Sequence, residues 1–314
     1  MSDSAASRLP WKSWLFLAVP AVGLLELGAH VYQTSSAVVP DADWQAARAI
    51  VAKSATPADL VVFAPFWVDP VGRAQFGDQL ATLDREARPD ETRFPRAFEV
   101  SIRGAHRAEL RGWREVGTER AGKVVVTTFE NPAPALPKTI LVSQVSPASM
   151  TVTRVDRTGE SECVWSESAA PQTGGLGFGP AIPAAKFDCP GGGFVGVTVI
   201  AALDYSPRKC IYAPPQGGGS FIRIRFKNVT FGNLLHGHHG LSAEAERNKA
   251  DPSVSLKFIV GDHVLGHVVH ADGDGWKPFD LNTSDVANTQ ADLVAEVSSS
   301  SGNRRLYCFE ADTR

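Results

Sequence analysis

The sequence predicts an α+β protein in three parts: a single N-terminal transmembrane helix, a small α/β three-layer domain, and a C-terminal β-sandwich of the jelly-roll type. Three observations carry this. An apolar run near the start has basic residues before it and acidic residues after it. Helix-like and strand-like segments alternate up to residue 130, as in α/β units. Beyond residue 140, short segments of period two follow one another between Gly, Pro, Asp and Asn turns, the pattern of sandwiches. The chain has 314 residues, enough for two modest domains, and its 28 glycines and 21 prolines favour short strands and many turns. A formal net charge of -3 gives no basic face for nucleic acid, which is excluded as a partner.

The N-terminal segment justifies the first part. Arg8 and Lys12 lead into Trp14–Leu25, WLFLAVPAVGLL, which by itself has the length of a signal-peptide core. With Glu26 and His30 allowed, the run extends from Trp11 to Tyr32, close to the ~20 residues that span a bilayer. Trp11, Trp14 and Tyr32 would form aromatic belts at its ends. The expected layout is a cytoplasmic segment 1–10, a signal-anchor helix 11–33, and Asp41 and Asp43 on the far side. Cleavage at Ser35-Ser36-Ala37 is the alternative, and a buried amphipathic helix fits the flanking charges poorly. The chain is therefore expected to be a single-pass membrane protein with its bulk extracytoplasmic, periplasmic or at the cell surface.

Export makes the four cysteines readable. Cys163, Cys189, Cys210 and Cys308 form an even set, which in an oxidising compartment implies two disulfides. Of three connectivities we expect Cys163–Cys189, bracketing a glycine-rich loop, and Cys210–Cys308, tying the last strand back to the sheet. No Cys-x-x-Cys pair supports zinc.

The α/β domain is expected over 41–130. DADWQAARAIVAKSA places Trp44, Ala47, Ile50 and Val51 at helical spacing behind Asp41 or Asp43 as caps. LVVFAP reads as a buried strand, residues 71–87 as a helix, 98–104 as a strand, 106–113 as a short helix and 123–130 as a third strand, with parallel pairing expected. NPAPALPKT, residues 131–139, holds three prolines and reads as a linker. The sandwich is expected over 140–314, with about ten strands. In SFIRIRF, Ile222, Ile224 and Phe226 point one way and Arg223 and Arg225 the other, and Val254, Leu256, Phe258 and Val260 repeat that period.

The densest motif is HADGDGWKPFDL, residues 270–281. A helix–loop–helix calcium loop needs oxygen ligands at positions one, three and five, glycine at six and glutamate at twelve. Counting from Asp272, Asp274 fits, but Trp276, Lys277 and Thr283 occupy the other places. The glycines instead suit a tight turn between strands. A structural calcium ion on Asp272 and Asp274 is the residual metal expectation, and no other cofactor is expected. The run WKPFDLNTSDV, following this Gly-Asp-Gly-Trp turn, resembles the jelly-roll modules of the galactose-binding-like, carbohydrate-binding type, best over residues 220–314. That resemblance implies glycan binding without catalysis. It transfers no ligand aromatic, and Trp276 is expected in the core.

Other motifs are weighed in the same way. LLHGHHGL offers His236, His238 and His239, with His263, His267 and His270 nearby, for zinc or copper. The bracketing glycines argue for a loop carrying solvated histidines, and His263 and His267 are expected on one strand face. There is no Gly-x-Ser-x-Gly elbow, and the glycine-rich stretches 174–179, 190–193 and 216–220 precede no Gly-Lys-Ser/Thr, so each reads as a loop. The segment DWQAARAIV…ADLVVFAP…VGR…FEVSIRG, within 41–130, resembles the soluble exported region of polyprenyl-phosphate-sugar-dependent membrane glycosyltransferases but holds none of that class's catalytic residues. Asp69, Arg73 and Asp78 form a polar cluster at a strand end, where ligands of open α/β sheets bind, although capping and ion pairing explain them better. Arg208, Arg223 and Arg225 suit either an acidic glycan or a solvated strand face.

The function these readings favour is that of a membrane-anchored, non-catalytic extracytoplasmic protein binding glycan or a partner protein in envelope or polysaccharide assembly. An envelope glycan-acting hydrolase and a purely structural envelope component are the alternatives. Catalytic residues are not identified.

Overall fold

A computed structural model describes residues 12–56, 58–76, 90–170, 181–247, 252–302 and 305–314, with the side chains of 12–15, 17 and 35–37 outside the description. Helix α1 (Lys12–Ala37) is followed by α2 (Asp41–Ser54) and α3 (Asp69–Gln75). Exposed Phe16, Leu24, Leu25 and Tyr32 line α1. Among the described residues, however, no helix is long and apolar enough to cross a membrane. The expected single span thus lacks structural support: Glu26, His30 and the polar run from Gln33 dilute the described part, and Trp11 and the Trp14 side chain lie outside it.

The first sheet comprises β1 (Leu60–Ala64), β2 (Arg96–Ile102), β3 (Arg114–Ala121) and β4 (Val124–Glu130), in the order β1-β2-β4-β3. Only β1 and β2 pair in parallel; β2–β4 and β3–β4 are antiparallel, contrary to the expected parallel sheet. Two neighbouring strands joined by the short Gly122 turn can pair only antiparallel. Among the described residues the helices occupy one face of this sheet, where three layers were expected. Helices α2 and α3 lie together on one face, where Trp44, Ala47 and Val51 pack on Phe63, Phe98, Val100 and Val126. The other face is closed by Phe94, Leu110 and Trp113 from loops. The expected helix over 106–113 is only a 3-10 turn, Ala108–Leu110. Strand β3 was not predicted, since all its residues except Ala121 are exposed and no apolar alternation marks it. Past Phe76, the expected helix 71–87 lies outside the described residues.

From Thr139 onward the regular structure of the described residues is mostly strand: β5 (Thr139–Ile140), β6 (Met150–Asp156), β7 (Gly159–Glu162), β8 (Val164–Glu167), β9 (Ala185–Asp188), β10 (Phe194–Ala201), β11 (Pro207–Tyr212), β12 (Phe221–Thr230), β13 (Leu234–Leu241), β14 (Val254–Val260), β15 (His263–His270), β16 (Lys277–Asn282), β17 (Gln290–Ser298) and β18 (Tyr307–Thr313). One short helix, α4 (Ala243–Glu246), interrupts them with Ser242 as its N-cap. A six-stranded sheet runs β15-β14-β17-β12-β6-β7, and an eight-stranded sheet runs β16-β13-β18-β11-β10-β9-β8 with β5 on β18. Ile222, Ile224, Phe226, Leu256, Phe258 and Val297 from the first sheet meet Ile211, Leu235, Phe279, Tyr307 and Phe309 from the second in one buried core. This is the expected sandwich, and both period-two predictions hold residue by residue, with Arg223 and Arg225 facing outward.

The disulfides are Cys163–Cys189 and Cys210–Cys308, as the sequence suggested. The second joins β11 to β18, neighbouring strands of the eight-stranded sheet, across a sequence separation of 98.

LLHGHHGL is the main correction. It is strand β13, in the interior of the sheet between β16 and β18, rather than a loop. Its glycines serve close packing: a Cβ on Gly237 would sit 2.2 Å from the Glu310 carbonyl oxygen and 2.6 Å from the Phe279 ring. Glycine inside a strand marks just such a close approach.

Candidate functional site

Two polar regions of the sandwich are built alike and exposed differently. The first is the outer face of the six-stranded sheet. There a cross-strand row runs His267, Lys257, Glu296, Arg223 and Thr153, each paired to the next across β15, β14, β17, β12 and β6. A neighbouring row holds Ser255, Ser298 and Phe221. Residues of the two rows line an open groove of about 280 Å³.

Ion pairs fix these side chains. Glu296 accepts from Arg223 at 2.8 and 3.0 Å and from Lys257 Nζ at 2.5 Å. Burial alone would raise the Glu296 pKa, but the Lys257 and Arg223 hydrogen bonds outweigh it and hold the carboxyl below its ordinary range. Arg223 also reaches Glu160 at 3.3 Å, so two cations balance two carboxylates. His267 bonds the Ser255 hydroxyl at 2.5 Å, and the Arg223 guanidinium lies 5.2 Å from the centre of the half-buried Phe221 ring. The result is a flat surface of pre-positioned donors and acceptors beside one aromatic ring, without net charge.

The second region is the outer face of the eight-stranded sheet, covered by the N-terminal unit. His236 pairs with Asp280 at 2.6 Å and His238 with Glu310 at 2.7 Å. Asp90 of the N-terminal unit lies 3.7 Å from His236 and is bonded by Arg314, which also donates to Asp312 at 2.7 and 2.8 Å. Burial would push the Asp90 carboxyl up, yet Arg314 and Thr92 together hold it below its usual range. Glu310, by contrast, is pushed up by burial despite His238. His239 points the opposite way, into the core, where its ring bonds the Tyr307 hydroxyl at 2.8 Å. Burial, with the neighbouring His270, lowers its pKa to about 3. The expected solvated histidines are therefore half-buried or buried, and each is already spoken for.

His263 and His267 were expected on one face. An irregularity in the β14–β15 register separates them: His263 pairs with Val260, on the core side, and His267 with outward Lys257. A bulge adds one residue and inverts the alternation beyond it.

The aspartates proposed for calcium are also engaged. Asp272 pairs with buried Arg305 at 2.5 Å, while Asp274 accepts from Lys277 Nζ at 3.0 Å and from the Ala271 amide at 3.1 Å. Among the described residues no group of three or more His, Cys, Asp or Glu side chains is placed to hold a metal. Gly273 and Gly275, at φ 91° and 70°, form the turn. At its start His270, fully buried, bonds Glu246 at 2.7 Å, and Glu246 also accepts from the Gly273 amide at 2.6 Å. Trp276 packs partly buried beside the Cys210–Cys308 disulfide, in accord with its expected core role.

Of the strand-end cluster, Asp69 and Arg73 form an ion pair at 2.5 Å, and Asp78 lies outside the described residues. The pair borders a small cavity of about 50 Å³ between the N-terminal unit and the β10–β11 hairpin, with Glu91, Arg107 and Arg208. Of the three arginines noted in the sequence, Arg223 thus stands at the groove, Arg225 pairs with Asp292 at 3.7 Å, and Arg208 faces the seam. Phe221, Ser255, Lys257, Glu296, Glu91 and Arg107 were missed by sequence reasoning, because only strand pairing and packing bring them together.

No protein-family model matches this sequence, and no curated protein matches it. Among solved structures, one similar chain holds CBM51-2 in complex with GlcNAc, with INT domains, from Clostridium perfringens ZmpB: identity is 13%, coverage 64% of this chain and 40% of that one, and the TM-score 0.29. Another is the C-terminal CBM6 of LamC, a marine laminarinase from Zobellia galactanivorans, at 12% identity, 52% and 99% coverage and a TM-score of 0.23. A third is a cyclase from Fischerella sp. TAU, at 10% identity, 53% and 82% coverage and a TM-score of 0.21. This chain spans well under two thirds of the ZmpB structures it resembles. Likenesses this low carry no argument about function, and the resemblance of residues 41–130 to membrane glycosyltransferases is not shown by them.

Proposed function

We propose that the protein is a non-catalytic, extracytoplasmic glycan-binding protein whose jelly-roll sandwich holds a neutral saccharide along the outer face of its six-stranded sheet. The groove beside Phe221 carries this reading. Saccharides present hydroxyls at fixed angles and one apolar ring face, so they suit rigid polar side chains next to an aromatic ring. Glu296, Arg223 and Lys257 are held by one another, so binding need not order them first. The row crosses five strands at spacings of ~4.8 Å, about 19 Å in all, which gives room for several sugar units. The cavity of about 280 Å³ lies near the lower end of ligand sites, ~300–1,000 Å³.

The non-catalytic part rests on the carboxylates. Glycoside hydrolysis takes two, and Glu296 is the one carboxylate among the residues lining the groove. Its lowered pKa suits an acceptor and not a general acid. The two disulfides support export, since such bonds persist in oxidising compartments. Whether helix α1 tethers the exported protein is decided by fractionation and by the N-terminal sequence of the mature chain.

The test is a glycan array on the purified chain, followed by calorimetry with the best neutral oligosaccharide. Phe221→Ala and Glu296→Gln should each weaken binding at least tenfold. Folded protein that binds no neutral glycan, or binding that both variants leave unchanged, would overturn the reading.

A further inference from the structure

The small cavity at the seam between the N-terminal unit and the sandwich has a different chemistry from the groove. Three guanidinium groups converge on it: Arg73 from α3, Arg107 from the loop before the 3-10 turn, and Arg208 from β11. Each comes from a different element, so no local periodicity places them together. Arg73 is bound to Asp69 at 2.5 Å, and Arg107 is bound through two nitrogens to Glu109. Arg208 is less well served. Its side chain is 17% exposed, and its ion-pair partner is Asp204 at 3.5 Å, a residue 53% exposed. Its Nε is buried and has no hydrogen-bond partner among the described residues.

A guanidinium carries five N–H donors, and leaving such a group buried with few acceptors is costly. The cavity's other wall is formed by strand β1. Leu60, Val61 and Val62 all line it, and three consecutive strand residues can do so only along a strand edge, because alternate side chains point to opposite faces. Among the described residues strand β1 is the edge of its sheet, so its outward backbone, N–H and C=O alike, lies toward the cavity. The wall also carries two carboxylates: Asp69, paired with Arg73, and Glu91, whose pKa burial pushes up.

We propose that this seam cavity is a binding site for a small oxyanion group: a carboxylate, sulfate or phosphate. Its volume of about 50 Å³ equals roughly three to five waters at ~10–15 Å³ each, which suits one such group and excludes a sugar ring. Planar guanidinium forks match oxyanions in pairs, and the anion would supply the acceptor that Arg208 lacks. The same chemistry comes either as a free inorganic ion or as the acidic substituent of a saccharide. For the latter, exposed aromatics stand beside the cavity. Phe66 lines it under the Arg107 guanidinium, and Tyr205, 58% exposed, immediately precedes the lining residue Ser206.

The site is independent of the neutral-saccharide groove, and its test does not use that groove. The full chain is titrated in phosphate-free buffer with inorganic sulfate, inorganic phosphate, and sulfated or uronate-containing oligosaccharides. Tungstate soaked into crystals locates the anion without any substitution. The proposal expects tungstate density between Arg73, Arg107 and Arg208. It also expects at least a tenfold affinity loss in Arg208→Gln and partial recovery in Arg208→Lys, with Arg225→Gln as an unaffected charge control. Binding of the inorganic ions identifies a free-ion site; binding of the acidic saccharides alone identifies a substituent site. Folded protein that binds none of these probes, or tungstate bound only elsewhere, overturns the proposal.

Discussion

The two outer faces of the sandwich use the same material to opposite ends. Both carry rows of cations and carboxylates paired across strands. On the eight-stranded sheet His236 and Asp312 of one row and Glu310 of the next are covered by the N-terminal unit, whose Asp90 and Thr92 engage Arg314, while Asp280 stays at the exposed rim. On the six-stranded sheet the row through Lys257, Glu296 and Arg223 remains open. Removing one partner of a buried, hydrogen-bonded ion pair is costly because it strands the other charge, whereas a solvated pair contributes little. The covered row therefore acts as cement between two units, and the open one is free to exchange water for ligand.

Four measurements sharpen or break that comparison. The largest effect is expected at the disulfide beneath the covered face. Cys210–Cys308 closes a loop of 98 residues, for which chain entropy predicts about 4–5 kcal/mol. Cys210→Ala with Cys308→Ala should lower denaturant stability by that order, and a loss below about 1 kcal/mol would show that the sheet holds without it. Next, Arg314→Met strips Asp90 and Asp312 of their shared cation, at a cost of about 3 kcal/mol. An unchanged melting curve would mean that the covered row is not cement.

Third, acid should weaken the protein through His239. Burial lowers its pKa from the ordinary 6.5 to about 3 on folding. A depressed pKa contributes stability that is present above pH 6.5 and lost as pH falls towards 3. Between pH 6.5 and about 5 the loss should be about 2 kcal/mol, at ~1.36 kcal/mol per pH unit, and His239→Gln should flatten the stability profile there; a profile identical to wild type refutes the assignment. The smallest change in stability belongs to the open face. Lys257→Ala should cost at most about 1 kcal/mol, since Arg223 still holds Glu296. Urea titration of that variant beside Arg314→Met measures the contrast directly.

The sequence disclosed the sandwich better than the site. Strict alternation in Phe221–Phe226 and Val254–Val260 reports burial on one face, and the structure follows it because that signal is local. The first cysteine pair was legible in the same way, spanning 26 residues around a loop; the second, 98 residues apart, followed from tying the last strand back to the sheet. Strand β13 was misread because its glycines, which usually mark loops, answer here to the approach of Glu310 and Phe279. Strand β3 left no trace, as exposed REVGTERA has no apolar face to display. The groove could not be read at all: Phe221, Ser255, His267 and Glu296 lie on four strands, and only the hydrogen-bonded register makes them neighbours. Asp69 and Arg73 were singled out, but their cavity partner Arg208 is more than a hundred residues away.

The Cys210–Cys308 link also has a mechanical meaning. Force that pulls the two ends of the chain apart must cross this link. Tension entering the chain at either side of the link passes from β11 to β18 through the sulfurs and bypasses the 98-residue separation between them. At ~3.4 Å per extended residue, some 330 Å of contour length is thereby withheld from stretching. Strands β12, β13, β14 and β17, which carry the groove's central residues and the histidine row, all lie inside that shielded segment.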